Sequence, residues 1–147
     1  MTAPLTVLTG LRARDVDRAA RAAQAAATAV EAALVAVRDA DLALAKARTL
    51  AAAAAEARFA RPGDECVRLY LDRCTDQVAA AVADLEQAQQ ALATAEQAAE
   101  QARRDWMRAQ ARRDVITDLA ADQIRDAGRA AERRSADECQ QPRGRAA

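Results

Sequence analysis

Residues 50–74 read LAAAAAEARFARPGDECVRLYLDRC, a run of alanine interrupted by the Pro62-Gly63 pair. The chain has 147 residues but only 4 Gly and 3 Pro, and the others lie toward one end or the other. Alanine is the best helix former, whereas Gly and Pro cost about 1 and 3 kcal/mol in a helix interior. A Pro-Gly far from both ends therefore predicts the point where one long helix stops and another starts. Proline disfavours helical backbone at Arg61, Gly63 can supply the left-handed conformation that closes a helix, and Asp64 is a good N-cap for the next one.

On both sides of this turn the apolar residues keep a seven-residue step. Before it come Val16, Ala23, Val30, Val37, Leu44 and Ala51, each followed three residues later by alanine, from Ala19 to Ala54. After it come Leu71, Val78, Leu85, Leu92, Ala99 and Trp106, with Cys74 and then Ala81 to Ala109 three residues on. Six repeats on each side are the signature of a coiled-coil seam. In an antiparallel pair, the first position of one helix shares a layer with the fourth position of the other. Pairing residues whose numbers add to 125 sets Val37 against Ala88, Leu44 against Ala81, Ala33 against Leu92 and Ala40 against Leu85. Nearly every layer is then one large residue facing one alanine, and half of 125 falls between Pro62 and Gly63.

The predicted fold is all-α: a single long antiparallel two-helix coiled-coil hairpin with an alanine-rich seam. Helix 1 is expected over 4–60, the turn over 61–64, helix 2 over 65–139, and a disordered tail over 140–147. At 1.5 Å per residue the helices would measure roughly 85 Å and 110 Å. Because the second is longer, its residues beyond about 122 would project past the start of the first. The layer of Arg12 and Arg113 sets like charges together, and beyond it Leu5, Leu8, Leu11, Ile116 and Leu119 are expected to make a larger, shifted contact.

Composition narrows the function. One Trp, one Tyr and one Phe are too few large side chains for a globular core. Lys+Arg 22 balance Asp+Glu 22, which argues against a protein whose main work is holding nucleic acid or an anionic membrane surface. The start MTAPLTVLTGLRARD lacks the pattern of a leader, and Gln24, Thr28 and Glu31 interrupt the most apolar run. The expectation is a soluble cytoplasmic protein without membrane insertion. Cys66, Cys74 and Cys139 are odd in number and have neither metal-ligand spacing nor any histidine beside them, so they read as idle or buried thiols.

No catalytic constellation is legible, since histidine, a Gly-rich phosphate loop and an activated nucleophile are all missing. Neither enzymatic activity nor a cofactor is expected. Asp114, Asp118, Asp122 and Asp126 line one face of helix 2. Carboxylates strung along one helix do not converge on a metal, and Arg125 and Arg129 follow two of them by three residues, so a solvated face is the expected reading. Arg104, Arg108 and Arg112, and then Arg125, Arg129 and Arg133, form basic stripes of the same kind. On an unpaired helix end they are also natural contacts for an acidic partner.

Apolar residues outside the seam carry more information, because the hairpin does not need them. Val35 and Leu42 lie opposite the seam. Phe59, Val67, Leu69 and Tyr70 form an apolar tip around the turn, with Val67 facing Arg58. Such a tip suits docking, while the competing reading folds Phe59 over the turn and packs Tyr70 beside the seam.

The long second helix ending in ARRDVITDLAADQIRDAGRAAERRSADE, after an alanine-rich hairpin, resembles the small coiled-coil stalk proteins of bacterial type III secretion, the YscO and FliJ families. The resemblance implies a two-helix stalk that inserts its terminal end into the hexameric export ATPase and contacts an export gate component or secretion chaperones. The overhang, with Asp122, Arg125, Asp126, Arg129 and Arg133, would then be the inserted part. A monomer is the first expectation and a dimer the second. The alternative is a self-associating structural coiled coil of the phasin type, in which Val35 and Leu42 would be contacts between copies.

Overall fold

A computed structural model describes residues 3–140. Two helices account for nearly all of them: α1 spans Ala3–Ala60 and α2 spans Glu65–Gln140. They pack against each other as a helical hairpin, and no strand occurs among the described residues. Apart from Gln140, which ends α2, the tail expected from 140 onward lies outside the described residues.

The turn shows why one helix ends and the next begins. The Arg61 N–H still closes the helical ladder on the Ala57 carbonyl at 3.0 Å, but Pro62 has no N–H with which to continue it. The Asp64 N–H then donates to the Arg61 carbonyl at 3.2 Å, making a four-residue turn with proline in its second place. Asp64 caps α2: its Oδ1 accepts from the backbone N–H of Cys66 at 3.0 Å and of Val67 at 3.4 Å. Its carbonyl receives the first helical bond, from Arg68, at 3.2 Å. Gly63 differs from expectation, because no glycine among the described residues has a positive φ. Proline ends the ladder by itself, and the turn is closed without a left-handed residue.

The chain divides into two compact units, one of residues 22–103 and one combining residues 1–21 with 104–147. In the 22–103 unit, loss of exposure on α1 falls on residues three or four apart from Ala23 to Ala54, and on α2 on a matching set from Leu71 to Ala102, with Val82 beside it. A stripe at that spacing is one face of a helix. The 1–21 and 104–147 unit is anchored by Val16, and Trp106, Ala109 and Ile116 of α2 are half-buried within it. Among the described residues only Val16, Leu44, Ala54 and Cys74 are buried. Exposed polar residues are accommodated without breaking the helices. The hydroxyls of Thr28, Thr49, Thr75 and Thr94 each donate to the carbonyl four residues earlier, at 2.9–3.1 Å.

The turn makes opposite demands on its neighbouring residues. Asp64→Ala removes the cap and is expected to cost about 0.5–2 kcal/mol. A Cβ at Gly63 meets nothing within 4 Å, so Gly63→Ala is expected to be neutral or to stabilise by up to about 1 kcal/mol. Urea unfolding followed by circular dichroism compares the two.

Candidate docking surfaces

The residues around the turn are exposed to different degrees. Phe59, on the last turn of α1, is 91% exposed and does not fold over the turn. Leu69 is exposed and Val67 half-buried. Tyr70 is half covered: its hydroxyl pairs with the Cys74 sulfur one helical turn on, and Cys74 is itself buried. That hydrogen bond first, then the electrostatic influence of Cys74 and some burial, hold the phenol above its ordinary 10.0, with Arg73 pulling the other way. Phe59 and Leu69 are therefore open to a partner, whereas Tyr70 is partly engaged within α2.

Val35 and Leu42 are 53% and 69% exposed on α1, and Leu34 and Leu50 are also open. Between Arg21 and Arg38 the only charged residue is Glu31. By length and composition α1 is also apolar enough to cross a membrane, with a mean hydropathy of 1.2 in its most apolar window. Alanine raises that mean despite Gln24, Thr28 and Glu31.

The end of α2 is the most open part of the described chain. From Ala121 to Gln140 every residue except Ala130 is exposed. Four of its charges pair along the helix: Arg125 with Asp122, and Arg129 with Asp126 at 3.8 Å. The Arg133 and Arg134 side chains turn back onto the carbonyls of Arg129 and Ala130, both at 3.3 Å. Exposed pairs of this kind contribute a few tenths of a kcal/mol and yield readily to a partner.

Within the 1–21 and 104–147 unit, the larger apolar contact expected from the sequence is only half made. Leu5, Leu8 and Ile116 are half-buried, but Leu11 and Leu119 stay exposed. Val7, Val115 and Ile124 are exposed as well, Ile124 at 66%. The Arg12 layer explains why the packing stays loose. Arg12 reaches Asp15 at 3.3 Å, yet its Nε is buried with no hydrogen-bond partner. It borders an apolar depression of about 310 Å³ shared with Ala111, Arg112, Val115 and Ile116. Arg113 turns to Asp114 at 2.7 Å. Sequence reading also passed over Arg14, Arg18 and Arg21, which line one surface depression on α1. Their spacing of four and then three residues was the available signal.

Among the described residues no group of three His, Cys, Asp or Glu side chains is placed to hold a metal. No family model matches this chain, and no curated protein or solved structure is significantly similar to it.

Two measurements test this account. Tyr70 is the only tyrosine, so the chain's tyrosinate absorbance reports it alone. The midpoint is expected above 10.0 in the folded chain and should return toward that value in denaturant or after Cys74→Ala. A raised phenol favours the protonated form in the folded state, so this contribution is present below pH 10 and fades as pH climbs through the folded-state value. Separately, Arg12→Leu removes an unsatisfied buried nitrogen beside an apolar depression and should stabilise the protein by about 1 kcal/mol, read as a raised urea midpoint.

Proposed function

We propose that α1 and α2 form an antiparallel coiled coil with an alanine-rich seam, and that the chain is a non-enzymatic stalk of a bacterial type III secretion export apparatus. Burial supports the seam: all six heptad pairs on each helix lie on the residues that lose exposure. The register in which numbers add to 125 has independent support. The two units divide between Arg21 and Ala22 on α1 and between Arg103 and Arg104 on α2, pairs that satisfy the same sum. Leu5 and Ala120, which also satisfy it, line one depression together with Thr6, Gln123 and Ile124. Large residues facing alanine bring two helix axes toward the close end of the usual range of about 8–10 Å.

The observation that carries the stalk reading is the solitary end of α2. Residues 121–140 expose nearly everything they have, and the apolar Val115, Leu119 and Ile124 stay open immediately before and within that segment. A helix end with apolar side chains among paired charges suits insertion into a ring of protein subunits, with burial supplying affinity and the charges setting register. The turn, with Phe59 and Leu69 exposed on either side of it, would face the export gate component or a secretion chaperone. The reaction belongs to the ATPase; the stalk contributes assembly and coupling.

Purified chain mixed with the export ATPase of the same bacterium tests this directly. The intact chain is expected to bind and to raise ATP hydrolysis by promoting hexamers, whereas a chain ending at residue 121 should do neither. Ile124→Asp should weaken binding about tenfold or more, the effect of losing one buried aliphatic contact. Failure of the intact chain to bind or stimulate the ATPase would remove the proposal.

A further inference from the structure

We propose that the outer face of α1 between Val7 and Arg21 is a peripheral binding surface for an anionic phospholipid bilayer: Val7 and Leu11 enter the headgroup layer, and Arg14, Arg18 and Arg21 hold lipid phosphates. All five residues belong to one unit. None lies on α2, so the inference stands apart from the stalk reading.

In this stretch α1 buries Val16 and half-buries Leu5, Leu8, Arg12 and Ala19. On the side facing away, positions separated alternately by four and three residues read Val7, Leu11, Arg14, Arg18 and Arg21. At 3.6 residues per turn these five fall on one stripe about 21 Å long. Every one is exposed, Val7 at 62% and Leu11 at 50%. Arg14, Arg18 and Arg21 line a single depression of about 350 Å³. Among the described residues Arg14 and Arg21 make no ion pair, and Arg18 reaches Asp15 only at 3.9 Å, while Arg12 holds that carboxylate more closely at 3.3 Å. Guanidinium groups around one hollow suit phosphate oxygens, which they can bind in pairs.

The sign of the charge survives a full count. Residues up to 21 carry Arg12, Arg14, Arg18 and Arg21 against Asp15 and Asp17, and exposed Asp17 borders the stripe, where it offsets one arginine. Over all described residues of the unit, arginines outnumber acids twelve to ten. The 22–103 unit carries the compensating excess of acids, so a zero total does not exclude a local anionic contact. The order of the side chains selects lipid over an acidic helix. Aliphatic residues occupy one end of the stripe and arginines the other, and a helix laid along it would meet three long side chains that keep its axis away. A bilayer surface accepts them, because arginine stems lie in the interfacial layer while the guanidinium groups reach phosphates. Stable attachment takes two signals, here apolar contact from Val7 and Leu11 and attraction of the arginines to anionic headgroups.

The test is co-sedimentation of the full chain with vesicles of phosphatidylcholine containing about one third phosphatidylglycerol. The chain is expected to pellet with these vesicles, not with phosphatidylcholine alone, and to be released by added salt, which screens exposed charges. Arg18→Ala should weaken binding about fivefold, and Asp17→Ala should strengthen it by a similar factor. Leu11→Asp should weaken it about tenfold or more. Helix content by circular dichroism should stay unchanged in all three variants, because the residues are exposed. A chain that stays in solution with the anionic vesicles, or that binds phosphatidylcholine alone equally well, would overturn the proposal. So would binding that Leu11→Asp leaves unchanged and pyrophosphate abolishes, which would assign the arginines to a free phosphate. Tighter binding to polyglutamate than to the anionic vesicles would assign them to an acidic protein and overturn it as well.

Discussion

Hydrogen bonding inside two alanine-rich helices is the interaction on which the rest of this structure depends. Among the described residues four buried side chains, Val16, Leu44, Ala54 and Cys74, are a small core for helices of 58 and 76 residues. Apolar burial at about 25 cal/mol per Å² is therefore modest for each layer of the contact. The high propensity of alanine, which loses no side-chain entropy on entering a helix, offsets that shortfall. The packed stripe then has only to hold together helices that the backbone already favours. A contact one helix face wide leaves most of each helix in water, so charges are neutralised locally. Arg18 with Asp15, Arg68 with Glu65 and Arg108 with Asp105 all pair across one turn.

Charge distribution along α2 adds a second constraint. Between Cys74 and Ala102 there are acidic residues, Asp76, Asp84, Glu86, Glu96 and Glu100, but no Lys or Arg. Arg103, Arg104, Arg108, Arg112 and Arg113 follow almost at once, with Asp105 as the only acid among them. The zero net charge of the whole chain thus combines an acidic segment with a basic one. Fields of opposite sign on one elongated helix orient an approaching partner more than they attract it.

The helices and their turn were legible because alanine, proline and aspartate act locally. Asp64 caps α2 for reasons contained within three residues. The left-handed Gly63 was the local expectation that did not hold, since Pro62 already ends the hydrogen-bond ladder. The surfaces were harder to read. Tyr70 as a docking residue and Tyr70 leaning on Cys74 have the same sequence, and only the side-chain geometry separates them. Leu11 and Leu119 were expected in a closed contact because they fit the apolar pattern. Their exposure reflects Arg12, whose long side chain occupies the interface without satisfying its own nitrogen. Periodicity reports which residues face a neighbour, but not how well the neighbour fills the space.

The Arg12 layer gives this misfit a direction. An apolar depression, an unsatisfied guanidinium nitrogen and exposed aliphatic residues all occur in the unit that contains the free end of α2. The 22–103 unit, by contrast, keeps its stripe regular over five heptads. Local departures from otherwise consistent packing occur in natural proteins where function competes with stability. Segments that must engage a partner are drawn from the less stable part of a fold. An arginine in place of an aliphatic residue at position 12 keeps Leu11, Val115 and Leu119 from closing into a finished core. Their apolar surface stays exposed in the same unit that holds the open end of α2.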